Sequence, residues 1–299
     1  MDPPETRYAQ SGDLSIAYQV HGTGDHDLLF SGTTASNVET VWTLPEAHRF
    51  FERLGRFARV IRFDRRDTGV SDPIRDDLTL EAHVADALAV MDAAGAERPM
   101  LFGGLDGARA MAALAATRPE RAAGLIALIP TVRGAADTPE VAEVVARSLV
   151  GDDWPSGLID VWAPDWAGDP VRRDRLLRYI RTSSSPSQAR RLLAMSLHSD
   201  VGEVLPLVQA PTLVLALADT PVSEAEQRQF AELIPGAVLR RMPGNSFMIY
   251  GLDVDLLADV IEEFVTGTAP PPVSSRILAT VLFTDVVGST DRVARVGDA

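Results

Sequence analysis

The chain has 299 residues with 28 basic and 42 acidic side chains, a formal net charge of −14, and contains neither Cys nor Lys. Without an ammonium group there is no phosphate-loop lysine, Schiff-base lysine or kinase ion pair, and without thiols there is no disulfide, thiolate zinc site or thiol nucleophile. An acidic chain repels phosphates, and no run of arginines is dense enough to offset that locally, which argues against a nucleic-acid partner.

The first residues, MDPPETRYAQSGD, lack the apolar core of a signal peptide, and no later stretch is apolar for long enough to cross a bilayer. The expectation is a soluble, cytoplasmic protein with no membrane partner. Strands are predicted at Leu14 to Val20, Asp27 to Phe30, Arg59 to Phe63, Pro99 to Gly103, Gly124 to Ile129, Thr212 to Leu217 and Ala237 to Met242. The later ones are continuously apolar, as in a parallel sheet covered on both faces. Helical spacing runs through Leu78 to Ala96, Ala108 to Glu120, Ser223 to Gly236 and Asp253 to Val265, with Gly or Pro often near the ends. Strand then helix, repeated, predicts a doubly wound α/β fold with a mostly parallel sheet.

From Thr131 to about Leu207 no strand is predicted. Helical patterns such as VAEVVARSLV and VRRDRLLRYI fill the segment, together with Trp154, Trp162 and Trp166. Such an insertion reads as an all-helical cap, about 131–207, over the carboxyl edge of the sheet, where open α/β sheets bind ligands. A Pro, Gly and Ser run then predicts a linker over 266–276. The remainder, 277–299, begins with a β-prone segment too short to bury a core of its own.

The runs FARVIRFDRRDTGVSDP, LFGGLDGARAMAALAATRPERAAGLIAL and LPLVQAPTLVLALAD resemble the α/β-hydrolase fold over nearly all of 1–265. Within it, they resemble the hydrolase-like domain at the N-terminus of certain actinobacterial class III adenylate cyclases. The run from Thr280 to Thr290, TVLFTDVVGST, resembles the opening strand of the class III cyclase domain. That resemblance implies metal ligation by Asp285 and by the Val286 carbonyl, with Mg2+ or Mn2+ and ATP engaged only by a full-length cyclase working as a homodimer. No cofactor is implied for the hydrolase-like domain.

Active members of the fold carry G-x-S-x-G at the strand-to-helix elbow, where a serine attacks, a His takes its proton and an acid orients the His. Here the elbow is Gly103-Gly104-Leu105-Asp106-Gly107, which puts Leu105 at the nucleophile position, and Phe247 stands where the resemblance places the His. Asp219 falls near the acid position. The expectation is therefore a catalytically degenerate regulatory or ligand-sensing domain of an adenylate cyclase. Two alternatives stand beside it: an active hydrolase with Asp106 as a non-standard nucleophile, and a structural dimerisation module. Asp106 also reads as a first-turn carboxylate favoured by the helix dipole.

Ser31-Gly32-Thr33-Thr34 lies where the resemblance places an oxyanion-hole amide, and reads equally as an ordinary loop. His83 reads as a helix-surface or packing residue, and Asp64-Arg65-Arg66-Asp67 as an ion-pair network within a loop. The predicted pocket is Gly32, Thr33, Leu105, Asp106, Phe247 and Trp162. Its apolar members either hold a small apolar ligand or fill an old cavity.

Overall fold

Side chains alternate across the strands and recur every three to four residues along the helices, so each strand serves two faces and each helix one. The computed structural model describes residues 2–33, 35–75, 78–134 and 155–270. Among them, β1 (Arg7–Ser11), β2 (Leu14–His21), β3 (His26–Ser31), β4 (Ala58–Phe63), β5 (Met100–Gly104), β6 (Gly124–Leu128), β7 (Thr212–Leu217) and β8 (Val238–Met242) form one sheet. Its order is β1-β2-β4-β3-β5-β6-β7-β8. Strand β2 is antiparallel to β1 and to β4, and all other neighbours are parallel. The seven predicted strands are all present. The eighth, β1, folds back on β2 through Gly12, whose φ of 61° suits the tight turn.

One face of the sheet is covered by α1 (Pro45–Leu54) and α9 (Val254–Thr266), the other by α2 (Leu80–Ala93), α3 (Asp106–Thr117) and α8 (Glu224–Leu233). Helix α1 is absent from the sequence expectation, although Ala47, Phe50, Phe51 and Leu54 are buried at helical spacing and Pro45 opens the first turn. Capping sets the observed ends more tightly than periodicity alone. Thr79 caps α2, Ser223 forms a capping box with Glu226, and Asp253 caps α9. Gly267, at φ 70°, ends α9 in the left-handed conformation, so that helix reaches the first residue of the predicted linker.

The described part of the predicted cap, from 155 onward, is helical: α4 (Ser156–Trp162), α5 (Pro164–Ala167), α6 (Pro170–Ser183) and α7 (Pro186–His198). A single antiparallel bridge between Arg133 and Asp200 lies near its two ends. The VAEVVARSLV pattern and Trp154 lie outside the described residues, as does most of the predicted linker and all of 277–299, including Asp285 and Val286.

Candidate active site

Strand β3 lies between β4 and β5, where the strand order reverses, and open α/β sheets bind ligands beyond the carboxyl ends of the strands at such a point. The loop after β3 carries Gly32 and Thr33, and the turn after β5 carries Leu105. At φ 50° and ψ −119°, Leu105 occupies backbone space that side-chain-bearing residues seldom enter. Its amide donates to the Leu128 carbonyl at 2.9 Å. Glycine is required on both sides. A Cβ on Gly103 would lie 2.4 Å from the Gly107 carbonyl carbon, and one on Gly107 would lie 2.9 Å from the Ser31 carbonyl oxygen.

The turn leaves the Asp106 amide at the first position of α3, with no hydrogen-bond acceptor among the described residues. Thr33 packs close to this turn: a Cβ on Gly104 would meet its Cγ2 at 3.7 Å and Ile249 Cδ1 at 3.8 Å. Leu105, Phe247 and Trp162 all pack, half-buried, against one apolar cluster. The Phe247 amide and the Ser246 hydroxyl donate to the Trp162 carbonyl at 2.8 and 2.9 Å, which ties the loop after β8 to the cap. Of the predicted pocket residues, Gly32 and Thr33 line a small cavity with Ser36, Tyr179 and Ile249, whereas Leu105, Phe247 and Trp162 pack on the apolar cluster and do not line it.

Asp106 departs from the nucleophile expectation. It is 2% exposed, and its Oδ2 accepts from Arg65 Nη1 at 2.5 Å inside the protein. A carboxylate sealed in this way is not presented to a substrate, and its place in the first turn of α3 matches the helix-dipole reading. Asp219 is exposed on the loop after β7 and joins no hydrogen bond or ion pair with another described residue. The triad positions thus hold an apolar side chain, an aromatic ring and an unengaged carboxylate.

The Asp64-Arg65-Arg66-Asp67 run does not pair internally. Arg65 reaches Asp106, Arg66 forks onto Asp86, and Asp67 receives Arg191 of α7 through Nε at 2.7 Å and Nη2 at 3.0 Å. Each bond links the loop to a different element. Asp67 does this from φ 68°, a strained position for a non-glycine residue. His83 is a buried packing residue on α2. Its Nε2 lies 2.9 Å from Ser31 Oγ, and burial pushes its pKa well below the ordinary imidazole range.

Sequence reasoning missed a second polar group near the crevice. Arg62 sits in β4 on the same face as Val60, where strand alternation calls for an apolar residue, and is 3% exposed. Its guanidinium carbon lies 4.7 Å from the Trp42 ring centre and 4.1 Å from that of Phe51. One nitrogen donates to Gln19 Oε1 and the Val38 carbonyl, and Nε has no partner. Nearby, Asp64 accepts from Ser36 Oγ at 2.8 Å and the Val70 amide at 3.0 Å, and burial pushes its pKa up to about 6. A charged residue inside the RVIRF strand was the available signal. The described residues contain no cluster of three or more potential metal ligands and no helix long and apolar enough to cross a membrane.

No family model matches the chain. The chain is 27% identical over 262 residues to "Putative carbamate hydrolase RutD" of Caulobacter sp. (strain K31), covering 80% of this chain and 92% of that protein. Its structure is similar to a hydrolase from Pseudomonas aeruginosa PA01 (TM-score 0.74, 23% identity, covering 87% of this chain and 98% of the other). It is also similar to the enol-lactonase from Burkholderia xenovorans LB400 (TM-score 0.69, 21% identity, 87% and 100%). Esterase RhEst1 from Rhodococcus sp. ECU1013 aligns with a TM-score of 0.73 at 20% identity, covering 87% and 98%.

These similarities correct the functional expectation. The proteins to which the chain is similar are named as hydrolases of carbamates, esters and enol-lactones, not as cyclases or regulatory domains, so the degenerate cyclase-input reading is set aside. The eight-stranded, mostly parallel sheet flanked by helices, together with the match to solved hydrolase structures, shows that the chain has the α/β-hydrolase fold.

Proposed function

We propose that this protein is a hydrolase of small activated carbonyl compounds, of the carbamate, ester or lactone class, that polarises the carbonyl for direct attack by water. The observation that carries this reading is the elbow itself. A leucine is held at φ 50°, and the amide behind it is left without an acceptor at the start of α3. Backbone amides at such a turn stabilise the negative charge that develops on a carbonyl oxygen during attack. The loop bearing Gly32 and Thr33 borders the same point, and the half-buried Leu105, Phe247 and Trp162 offer an apolar bed for the rest of the substrate.

Leucine cannot form an acyl-enzyme, so water attacks the bound carbonyl directly and the leaving group departs in one sequence. In serine hydrolases that have lost triad members, the oxyanion hole and binding alone retain about 10³–10⁴-fold acceleration over water. A rate of that order is expected here, on substrates with good leaving groups.

The test is a panel of aryl carbamates, aryl acetates and small lactones, followed by product release and by intact-mass spectrometry. Saturable turnover about 10³-fold above buffer, with no covalent adduct, is the expected result. A trapped acyl-protein would overturn the direct-water route. Buffer-level rates on every compound that raises the melting temperature would replace hydrolysis by retention of a small apolar carbonyl ligand, for which Leu105 and Phe247 are equally suited.

A further inference from the structure

Ser31 ends β3 with its side chain on the sheet face covered by α2 and α3, and its Oγ lies 2.9 Å from His83 Nε2. Both residues are completely enclosed, and burial keeps the imidazole neutral. One of the two atoms donates to the other, and hydrogen-bond accounting decides which. With the ring proton on Nδ1, that N–H would be a buried donor lacking an acceptor among the described residues, in the repulsive field of the Arg65 and Arg66 guanidiniums. The Ser31 hydroxyl would then spend its single proton on Nε2. With the ring proton on Nε2, the Nδ1 lone pair lies in the field of those cations, His83 donates to Ser31 Oγ, and the hydroxyl proton is free for the Gly32 carbonyl oxygen at 3.5 Å.

The direction of the Gly32 carbonyl sets that of the next amide, because C=O and N–H point opposite ways across a trans peptide. The Gly32 oxygen is turned toward α3, where a Cβ on Gly107 would lie 3.0 Å from it. The Thr33 N–H therefore points away from Gly107, and it has no acceptor among the described residues. Thr33 itself packs over the elbow, as the 3.7 Å approach of its Cγ2 to a Cβ on Gly104 shows. Two amides without acceptors, those of Thr33 and Asp106, thus flank the same turn.

We infer that His83, as its Nε2–H tautomer, is a positioning residue: through the Ser31 hydroxyl it fixes the Gly32 carbonyl and so aims the Thr33 amide at the oxygen of a carbonyl group held by the Asp106 amide. The carbonyl substrate rests on the hydrolytic reading above, whereas the tautomer and the aim of the amide do not. An imidazole that only packs would fill the same space without setting a peptide plane.

The ring-nitrogen NMR spectrum of the unmodified chain is expected to show a neutral His83 protonated on Nε2, and a ring protonated on Nδ1 overturns the inference. Two variants then separate positioning from packing. His83→Gln keeps an N–H donor of similar reach, and His83→Leu keeps apolar bulk without a donor. Loss of a whole oxyanion donor costs about 10²–10³ in kcat, so a misaimed one is expected to cost about 10-fold in His83→Leu with an aryl acetate, at a KM within about 2-fold of the parent. His83→Gln is expected to recover most of that loss. Equal kcat in all three proteins, or equal losses in both variants, overturns the inference. If the unmodified chain gives no turnover, the hydrolytic reading fails by itself and the Thr33 amide decides: its proton shift is expected to move in His83→Leu and to stay in His83→Gln, and an unmoved shift in both overturns the inference. The ring-nitrogen spectrum needs only the unmodified chain, so a variant that fails to fold leaves the inference refutable.

Discussion

Arg65 and Asp106 meet behind the elbow with neither side chain more than 2% exposed, so the residue next to the turn's apex anchors the turn to the loop after β4. Removing one partner leaves the other charge buried and alone. Asp106→Ala is expected to lower stability by about 3–5 kcal/mol, read by urea denaturation. A loss below about 1 kcal/mol would mean that water reaches Arg65 readily.

The elbow is built for a nucleophile it does not carry. Leu105→Ser combined with Phe247→His restores the residue types of a serine hydrolase at the two positions where they are missing. This double variant is expected to show an acyl-enzyme burst with p-nitrophenyl acetate and labelling by a fluorophosphonate, neither of which the parent shows. General-base assistance alone contributes about 10²–10⁴-fold. No labelling would mean that the turn no longer presents residue 105 to the crevice.

The cap is fastened by Arg191 on Asp67, by the Gly69 amide on the Ser183 carbonyl at 2.7 Å, and by Asn37 Nδ2 on the Thr182 carbonyl at 2.8 Å. Arg191→Ala removes the bidentate member and leaves a fully buried carboxylate short of a donor. Faster amide exchange across α7, with exchange in β5 and β6 unchanged, is the expected pattern. Uniform acceleration throughout the chain would show that the contact supports the whole fold rather than the cap.

Acid sensitivity follows from two buried imidazoles. Burial, reinforced by Arg62, holds His21 at about 3, and His83 lies well below its ordinary value. As pH falls below about 6.5, the unfolded chain gains protons that the folded chain refuses, so stability declines. Each imidazole contributes a slope approaching 1.4 kcal/mol per pH unit. Asp64, raised to about 6, acts in the opposite sense between its unfolded value near 3.8 and 6, where the folded chain holds the extra proton. His21→Gln should therefore flatten the decline between pH 6.5 and pH 4 in denaturant titrations. An unchanged slope would show that His21 takes its proton without unfolding.

The parallel strands were legible in the sequence because Leu101, Leu125, Ile126 and Leu213 to Leu217 sit in runs that only a doubly covered sheet accommodates. Strand β1 escaped because its inward positions, which alternate, are the small Ala9 and the polar Ser11, so its burial alternates while its hydropathy does not. Leu105 and Phe247 were placed by motif position, and both pack, half-buried, against the same apolar cluster. Asp106 was harder to read, since nothing in Gly104-Leu105-Asp106-Gly107 reveals that Arg65, 41 residues away, seals its carboxylate. Arg62 failed for the converse reason. One charge inside a strand resembles an edge or surface position until Trp42 and Phe51, from a separate turn and helix, close over it.

The conformation at residue 105 is imposed from outside. Gly103 and Gly107 approach so closely that the backbone between them has one path, and the Leu128 carbonyl pins the amide at its start. The side chain at 105 therefore has no vote in the shape of the turn. Position 105 behaves as an interchangeable socket, whose side chain can change by a single codon while the scaffold that aims it stays as it is.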